Sequence, residues 1–226
     1  MFCLVLSVSF ISCNNNDTTP EGYGDVYVVS KIKTTGETSN VAYGLFIQAS
    51  GLYGTLSSVT VTNGTKSYTL QEDSNTGFFY YESDYSTSLP TKGTYTFNYL
   101  FSSGEINTSS NVLTENVLEP ANITNCAFSN NEINLKWDAV EDADAIYVQL
   151  KKADGTLIFS SVTNSYLLGT ATSYDISTST GTWASDYDMV NGTTYTVEVI
   201  ALMADQSNSV QAMSIASQTV VWGSAE

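Results

Sequence analysis

Asn191-Gly192-Thr193-Thr194-Tyr195-Thr196-Val197-Glu198-Val199-Ile200-Ala201-Leu202 opens on a turn pair and continues into β-branched, aromatic and small apolar residues. Asn and Gly tolerate the positive φ of a tight turn, and Thr, Tyr, Val and Ile suit a pleated, half-buried backbone. The stretch therefore reads as a turn followed by a strand over Thr194–Met203. Lys92-Gly93-Thr94-Tyr95-Thr96-Phe97 is a fainter copy in the first half of the chain, also followed by a polar turn and another strand.

The same chemistry recurs outward from these two stretches. The first half yields candidate strands at Val26–Lys33, Val41–Ser50, Ser57–Thr62, Lys66–Gln71, Gly77–Tyr81, Thr94–Phe101 and Asn111–Val117. The second half yields Asn122–Phe128, Glu132–Asp138, Ala145–Lys152, Thr156–Val162, Ser173–Ser177, Thr194–Met203 and Val210–Trp222. Asn63-Gly64 is a hairpin signal and Asp154-Gly155 a turn. In Thr94–Phe101, Tyr95, Phe97, Tyr99 and Phe101 share one face, a period of two that marks a half-buried strand. No helical periodicity is sustained beyond a couple of turns. The expectation is an all-β chain of two tandem antiparallel sandwiches, 25–117 and 118–226, with the boundary at Glu115–Asn122 around Pro120.

The second half resembles a fibronectin type III domain over roughly residues 118–223. Ile133-Asn134-Leu135-Lys136-Trp137-Asp138 is similar to that family's second strand, whose Trp packs in the core. Ala139 to Ala145 with Ile146-Tyr147-Val148 is similar to the following loop and strand. Asn191–Leu202 is similar to the family's most distinctive piece. The resemblance implies that Tyr195 forms a tyrosine corner, its hydroxyl bonding back to nearby backbone. It also implies an immunoglobulin-like topology. The echo at Lys92–Phe97 reads either as the same topology in the first half or as shared turn-and-strand chemistry without common ancestry.

The N-terminus carries a different signal. Met1 to Ser12 is uncharged and apolar, and it stops at Ser12-Cys13 before Asn14, Asn15, Asn16 and Asp17. A bilayer-spanning helix needs about 20 apolar residues, and a secretory signal core needs about 7–15. Phe10-Ile11-Ser12-Cys13 is similar to the bacterial lipoprotein pattern, which implies residues 1–12 as signal peptide and Cys13 as the lipidated first residue. Residues 13–24, polar and with Pro20 and two glycines, read as a flexible tether. The expected location is the outer membrane, lipid-anchored, at the cell surface or the periplasmic face.

Composition removes several function classes. The 226 residues carry 23 acidic and 7 basic side chains, no His, and a formal net charge of −16; all the basic residues are Lys. A nucleic-acid surface needs clustered cations, so that class is set aside. Without His there is no Ser-His-Asp or Cys-His catalysis and no imidazole-ligated zinc. Without Arg there is no bidentate fork for phosphate. With Cys3 in the signal and Cys13 acylated, Cys126 is the remaining thiol, read as a buried inert one. No cofactor is expected.

Three constellations are candidates for binding. Phe78, Phe79, Tyr80, Tyr81 and Tyr85 place several rings in and beside one strand; about half must face away from one core, which makes Tyr80 and Tyr85 candidates for stacking on sugars or meeting a partner. Against that stands ordinary cross-strand pairing. Trp183, with Tyr187, Asp186 and Asp188 nearby, reads as a loop aromatic beside carboxylates, either a sugar platform or a plug over the sandwich end. Asp138, Glu141, Asp142 and Asp144 are weak calcium candidates; their spacing lacks the alternating logic of a calcium loop, and a solvated acidic loop is the plainer reading.

The expectation is a non-catalytic cell-envelope lipoprotein serving as a glycan-binding or protein-binding module. In architecture it is similar to accessory lipoproteins of polysaccharide-uptake systems in Gram-negative gut anaerobes. The alternative is a structural or adhesin scaffold with no small ligand. A lower alternative is a carboxylate-based glycosidase, which needs two acids about 5–10 Å apart across a cleft.

Overall fold

The computed structural model describes residues 19–35, 38–74, 76–185, 188–206 and 209–223. Its first half contains β1 (Glu21–Thr35), β2 (Thr38–Tyr53), β3 (Leu56–Asn63), β4 (Lys66–Thr69), β5 (Gln71–Asp73), β6 (Phe78–Glu82), β7 (Gly93–Phe101) and β8 (Ile106–Leu113). The second half contains β9 (Ile123–Ser129), β10 (Glu132–Trp137), β11 (Ala145–Lys151), β12 (Leu157–Ser160), β13 (Leu167–Leu168), β14 (Ser173–Ile176), β15 (Thr182–Trp183), β16 (Thr194–Ala204) and β17 (Val210–Val221). The chain is all-β, built from several antiparallel sheets.

The layering differs from two separate sandwiches in tandem. One ten-stranded sheet runs through both halves in the order β15-β12-β11-β16-β17-β1-β2-β6-β5, with β13 beside β11. The halves join where β1 pairs in parallel with β17, Val28 opposite Ala212 and Val29 opposite Met213. A four-stranded sheet, β4-β3-β7-β8, covers the first half, and a three-stranded sheet, β14-β10-β9, covers the second. Each cover closes a core against the same face of the common sheet.

The two cores follow from strand alternation. Tyr95, Phe97, Tyr99 and Phe101 point from β7 onto Val26 and Val28 of β1 and Leu45 and Ile47 of β2. All four rings are buried, as their shared face predicts. In the second half Ile133, Leu135 and Trp137 of β10 meet Ile146, Val148 and Leu150 of β11 and Tyr195, Val197 and Val199 of β16. Each such side chain contributes roughly 1.5–3 kcal/mol on full burial.

Tyr95 and Tyr195 occupy matching places. The Tyr95 hydroxyl donates to the Thr91 carbonyl at 2.7 Å, and the Tyr195 hydroxyl accepts from the Val190 amide at 3.2 Å. Both therefore tie a core ring to the backbone just upstream of its own strand.

Three expectations need correction. Residues 21–24 are strand and not tether: Gly22 and Gly24 pair with Gly51 and Ala49 of β2. These glycines serve packing rather than flexibility. A Cβ on Gly22 would lie 2.6 Å from the Tyr99 ring, and one on Gly24 would lie 2.3 Å from Phe97. The last strand of the first half runs over Ile106–Leu113 and ends before Val117. Its stretch from Ile106 to Ser110 is polar-rich, so β-propensity alone under-reads a strand that pairs along β7. Finally, Trp183 sits in β15, opposite Phe159 of β12, and not in a loop.

Asp25 fastens the seam. Its carboxylate accepts from the backbone amides of Val26 and Val210, both at 3.0 Å, and from Ser209 Oγ at 3.1 Å and Asn111 Nδ2 at 2.9 Å. One side chain thus joins β1, the start of β17 and the edge strand β8. Ser30 Oγ donates to the Leu118 carbonyl, which holds the connection between the halves against β1. No helix among the described residues is long and apolar enough to cross a membrane.

Candidate functional site

The common sheet is apolar on both faces near the seam. Alternation that sends Val26 and Val28 into the first core sends Tyr27, Val29 and Lys31 to the opposite face. There they meet Met213 and Ile215 of β17, Ile200 of β16 and Tyr147 of β11. Neither covering sheet reaches this face. It forms a cleft of about 380 Å³ at the junction, with walls contributed by both halves.

Rings line its first-half side. Phe46 of β2 lies opposite Tyr27 of β1, with ring centroids 5.2 Å apart, and Tyr80 of β6 continues the row 6.4 Å from Phe46. Tyr85 arrives from the loop after β6. Gly44 makes room for it, since a Cβ there would come within 3.0 Å of the Tyr85 ring. Lys31 Nζ stands 3.3 Å from the Tyr85 centroid, a cation–π contact, and the Tyr85 hydroxyl donates to Glu82 Oε1 at 2.7 Å. On the second-half side, Tyr147 packs against Tyr166 with centroids 5.8 Å apart.

Charged and amide groups stand among these rings. Glu198 of β16 and Lys151 of β11 approach to 2.6 Å. Glu198 Oε2 is shielded from water and makes no aligned hydrogen bond, so Lys151 compensates it as charge. Gln149 of β11 is 7% exposed and faces Glu198 across the register. Burial lowers the Lys31 ammonium pKa, while Glu82 and Glu198 oppose that shift. Burial, and next Glu82, push the Tyr85 phenol above its ordinary range. Burial, and next Tyr166 and Glu198, do the same for Tyr147. Both phenols are therefore protonated donors at neutral pH.

Of the sequence candidates, Tyr85 lines this cleft, and Tyr80 lies beyond its wall, stacked on Phe46. Trp183 is elsewhere: its ring lies 4.8 Å from Phe159, and its indole N–H donates to the Ser177 carbonyl at 3.1 Å. Trp183 thus packs against the second core from the edge strand β15. Cys13, Asp186 and Tyr187 lie outside the described residues. Cys126, in β9, packs partly buried against the second core. The four acidic candidates do not converge. Asp138 accepts from Asn122 Nδ2 at 2.8 Å and Asp144 from the Ala204 amide at 2.8 Å. Among the described residues no group of three or more carboxylate, thiol or imidazole side chains could hold a metal.

Sequence reading missed Tyr27, Lys31, Phe46, Tyr147, Gln149 and Glu198. A signal was present. Glu198 interrupts Val197-Val199-Ile200-Ala201-Leu202, and Gln149 interrupts Tyr147-Val148-Leu150, which Lys151 follows. A charged or amide group inside an otherwise apolar strand marks a polar spot on that strand's otherwise apolar face.

A second cleft, about 550 Å³, opens at the end of the first half between Tyr43, Tyr68 and Tyr81. Those three rings also pack against the first core, and Tyr68 lies 5.0 Å from Tyr81. They act chiefly as core margin, whereas the seam cleft gathers charge, amide and ring edge together.

No protein-family model matches the chain, and no curated protein matches it significantly. Among solved structures it is similar to the BSP domain of a biofilm-associated protein at 15% identity, covering 80% of this chain and 28% of that one, with a TM-score of 0.27. It is also similar to Tp47, the 47-kilodalton lipoprotein of Treponema pallidum, at 13% identity, covering 86% and 51%, with a TM-score of 0.34. A third is SGBP-B of the Bacteroides ovatus mixed-linkage glucan utilization locus, solved with a mixed-linkage heptasaccharide, at 13% identity, 88% and 60% coverage and a TM-score of 0.19. In each case this chain spans only part of the solved structure. Likenesses this weak identify neither a family nor an activity.

Proposed function

We propose that this chain is a non-catalytic binding module of the cell envelope, lipid-anchored at the outer membrane through Cys13, that captures glycan in the seam cleft. The observation that carries the reading is the convergence of stacked rings with partly unspent polar groups in one cleft that both halves must build. Aromatic faces take up the C–H faces of sugars, and the polar groups address hydroxyls. In this reading the second half is a fibronectin type III-like unit and the first an immunoglobulin-like one. The back-bonded Tyr195 and Tyr95 support that assignment.

The two carboxylates of the cleft favour binding over hydrolysis. A glycosidase needs one carboxyl as proton donor and another as base or nucleophile. Here Glu198 is held against the Lys151 ammonium, and Glu82 accepts from Tyr85, so each carboxyl group is already committed to a partner.

The test is a glycan array probed with the soluble chain from Asn14 onward. Retention of a glycan, lost at least tenfold in Tyr85→Ala and unchanged in Trp183→Ala, is the expected result. An array with no retained glycan, together with capture of a purified surface protein, would replace this reading with the adhesin scaffold. Release of reducing ends would replace it with the glycosidase. For the anchor, mass spectrometry of the mature N-terminus should find an acylated Cys13; an unmodified residue overturns that part.

A further inference from the structure

We infer that the seam cleft selects an uncharged sugar unit through a pair of adjacent hydroxyls, held between Lys31, Gln149 and Glu198. The inference rests on the glycan reading above and narrows it to a ligand class.

Consider which groups in the cleft still have bonds to make. Lys31 forms no ion pair among the described residues; it is held over the Tyr85 ring, which engages its charge and leaves its directed N–H donors available. The Gln149 amide and the Tyr147 hydroxyl make no hydrogen bond among the described residues, although both residues are nearly buried. Glu198 Oε2 is enclosed beside the Lys151 ammonium, and the rest of the Glu198 side chain keeps 13% of its surface open in the cleft that it lines. The Gln149 amide and the Tyr147 hydroxyl are left to water, and a ligand that displaces that water must replace its bonds. Such a ligand must accept from Lys31 and donate to Glu198, with Gln149 able to do either. A hydroxyl both donates and accepts, and two neighbouring hydroxyls meet the whole requirement.

Charge then decides against ionic ligands. Lys31 and Lys151 balance Glu82 and Glu198 around the cleft, so it offers no net attraction to either sign. The chain as a whole, at −16, repels anions on approach. A bound cation would have to sit beside Lys31. The floor, Val29, Met213, Ile215 and Ile200, suits the apolar face of a sugar ring. Peptide capture by strand addition has no purchase here, because β17, β1 and β2 are hydrogen-bonded on both sides. A volume of about 380 Å³ is at the small end for ligand pockets and takes a short unit of a polymer, not a long stretch.

The experiment is isothermal titration of the soluble chain from Asn14 onward with matched neutral disaccharides. The panel includes epimers at each ring position, deoxy analogues lacking one hydroxyl, and counterparts bearing a uronic carboxylate or an amine. Expected is binding of at least one neutral sugar, at least tenfold weaker for its acidic and amino counterparts and for one deoxy analogue. That affinity should be unchanged between 50 and 500 mM salt. Glu198→Gln and Lys31→Met should each weaken it at least tenfold, with circular dichroism unchanged. Lys31→Met keeps most of the side chain's apolar length, so it tests the donor even where Glu198→Gln perturbs Lys151. Equal or tighter binding of a uronate overturns the selection for neutral ligands and leaves the glycan reading intact. Deoxy analogues that all bind as well as their parents overturn the hydroxyl-pair recognition. An absence of binding to every sugar overturns both.

Discussion

Val29 of β1 and Met213 of β17 face one another in parallel register, one from each half of the chain, in an otherwise antiparallel fold. Both side chains are buried on the face of the sheet that neither cover reaches. The halves thus share hydrogen bonds, an apolar layer and a cleft.

From this pairing, unfolding is expected as one cooperative transition and not two. Met213→Asp would bury an uncompensated charge at the seam and cost about 3 kcal/mol or more, felt by both halves. Differential scanning calorimetry should show one endotherm in the parent and one shifted endotherm in the variant. Two separate endotherms in the parent, with only the second shifted in the variant, would mean that the halves fold independently.

Gly24→Ala is expected to destabilise by about 1–3 kcal/mol, the range for overpacking a filled core. The added carbon would lie 2.3 Å from Phe97, which is fully buried and has nowhere to retreat. Urea midpoints measure this. Phe97→Leu in the same chain should recover part of the loss, giving a coupling energy outside the additive range. If Gly24→Ala leaves the midpoint unchanged, the close approach of ring and strand is wrong.

Asp25 makes stability depend on pH. Burial raises its carboxyl from 3.8 to about 6, against the pull of bonds from Val210, Ser209 and Val26, with Asp205 adding to the rise. The folded chain therefore holds a proton between about pH 4 and pH 6 that the unfolded chain has released. The contribution is fully present below about pH 4 and is lost as pH rises through about 6, up to about 3 kcal/mol. Denaturant unfolding from pH 4 to pH 7 should show this fall, and Asp25→Asn should remove it. Asp25→Asn should also be less stable than the parent, because its amide must face some of the donors now aimed at a carboxylate. A pH slope that survives in Asp25→Asn would assign the effect to other carboxylates.

Tyr95→Phe and Tyr195→Phe each remove one hydroxyl that ties a core ring to upstream backbone. Each is expected to cost about 1 kcal/mol. The two serve separate cores, so the double variant should lose the sum. Thermal unfolding of the three variants checks this; a negligible effect at Tyr195 would make its hydroxyl bond incidental.

Much of the strand map was legible in the sequence because local chemistry decides it. Turn pairs such as Asn63-Gly64 announced their hairpin, and the alternation Tyr95, Phe97, Tyr99, Phe101 announced which face is buried. Gly22 and Gly24 misled for an equally physical reason. Glycine in sequence reads as freedom, yet here its missing side chain is filled by an aromatic ring from another strand. Trp183 misled because two-residue strands such as β15 leave no periodicity to read. Tyr80 and Tyr85 were visible as surplus aromatics, but not the neighbours of Tyr85 in the cleft.

By itself, the sequence determined the all-β class, most strand positions, the turns and the buried face of each amphipathic strand. These follow from backbone preference and from periodicity within a few residues. Only the tertiary structure decided that β1 lies in parallel beside β17, that the halves therefore share one sheet, and that Lys31, Tyr85, Gln149 and Glu198 meet in one cleft. Pairing between the first and last strands depends on which surfaces remain unburied once both cores have closed, and no local pattern encodes that.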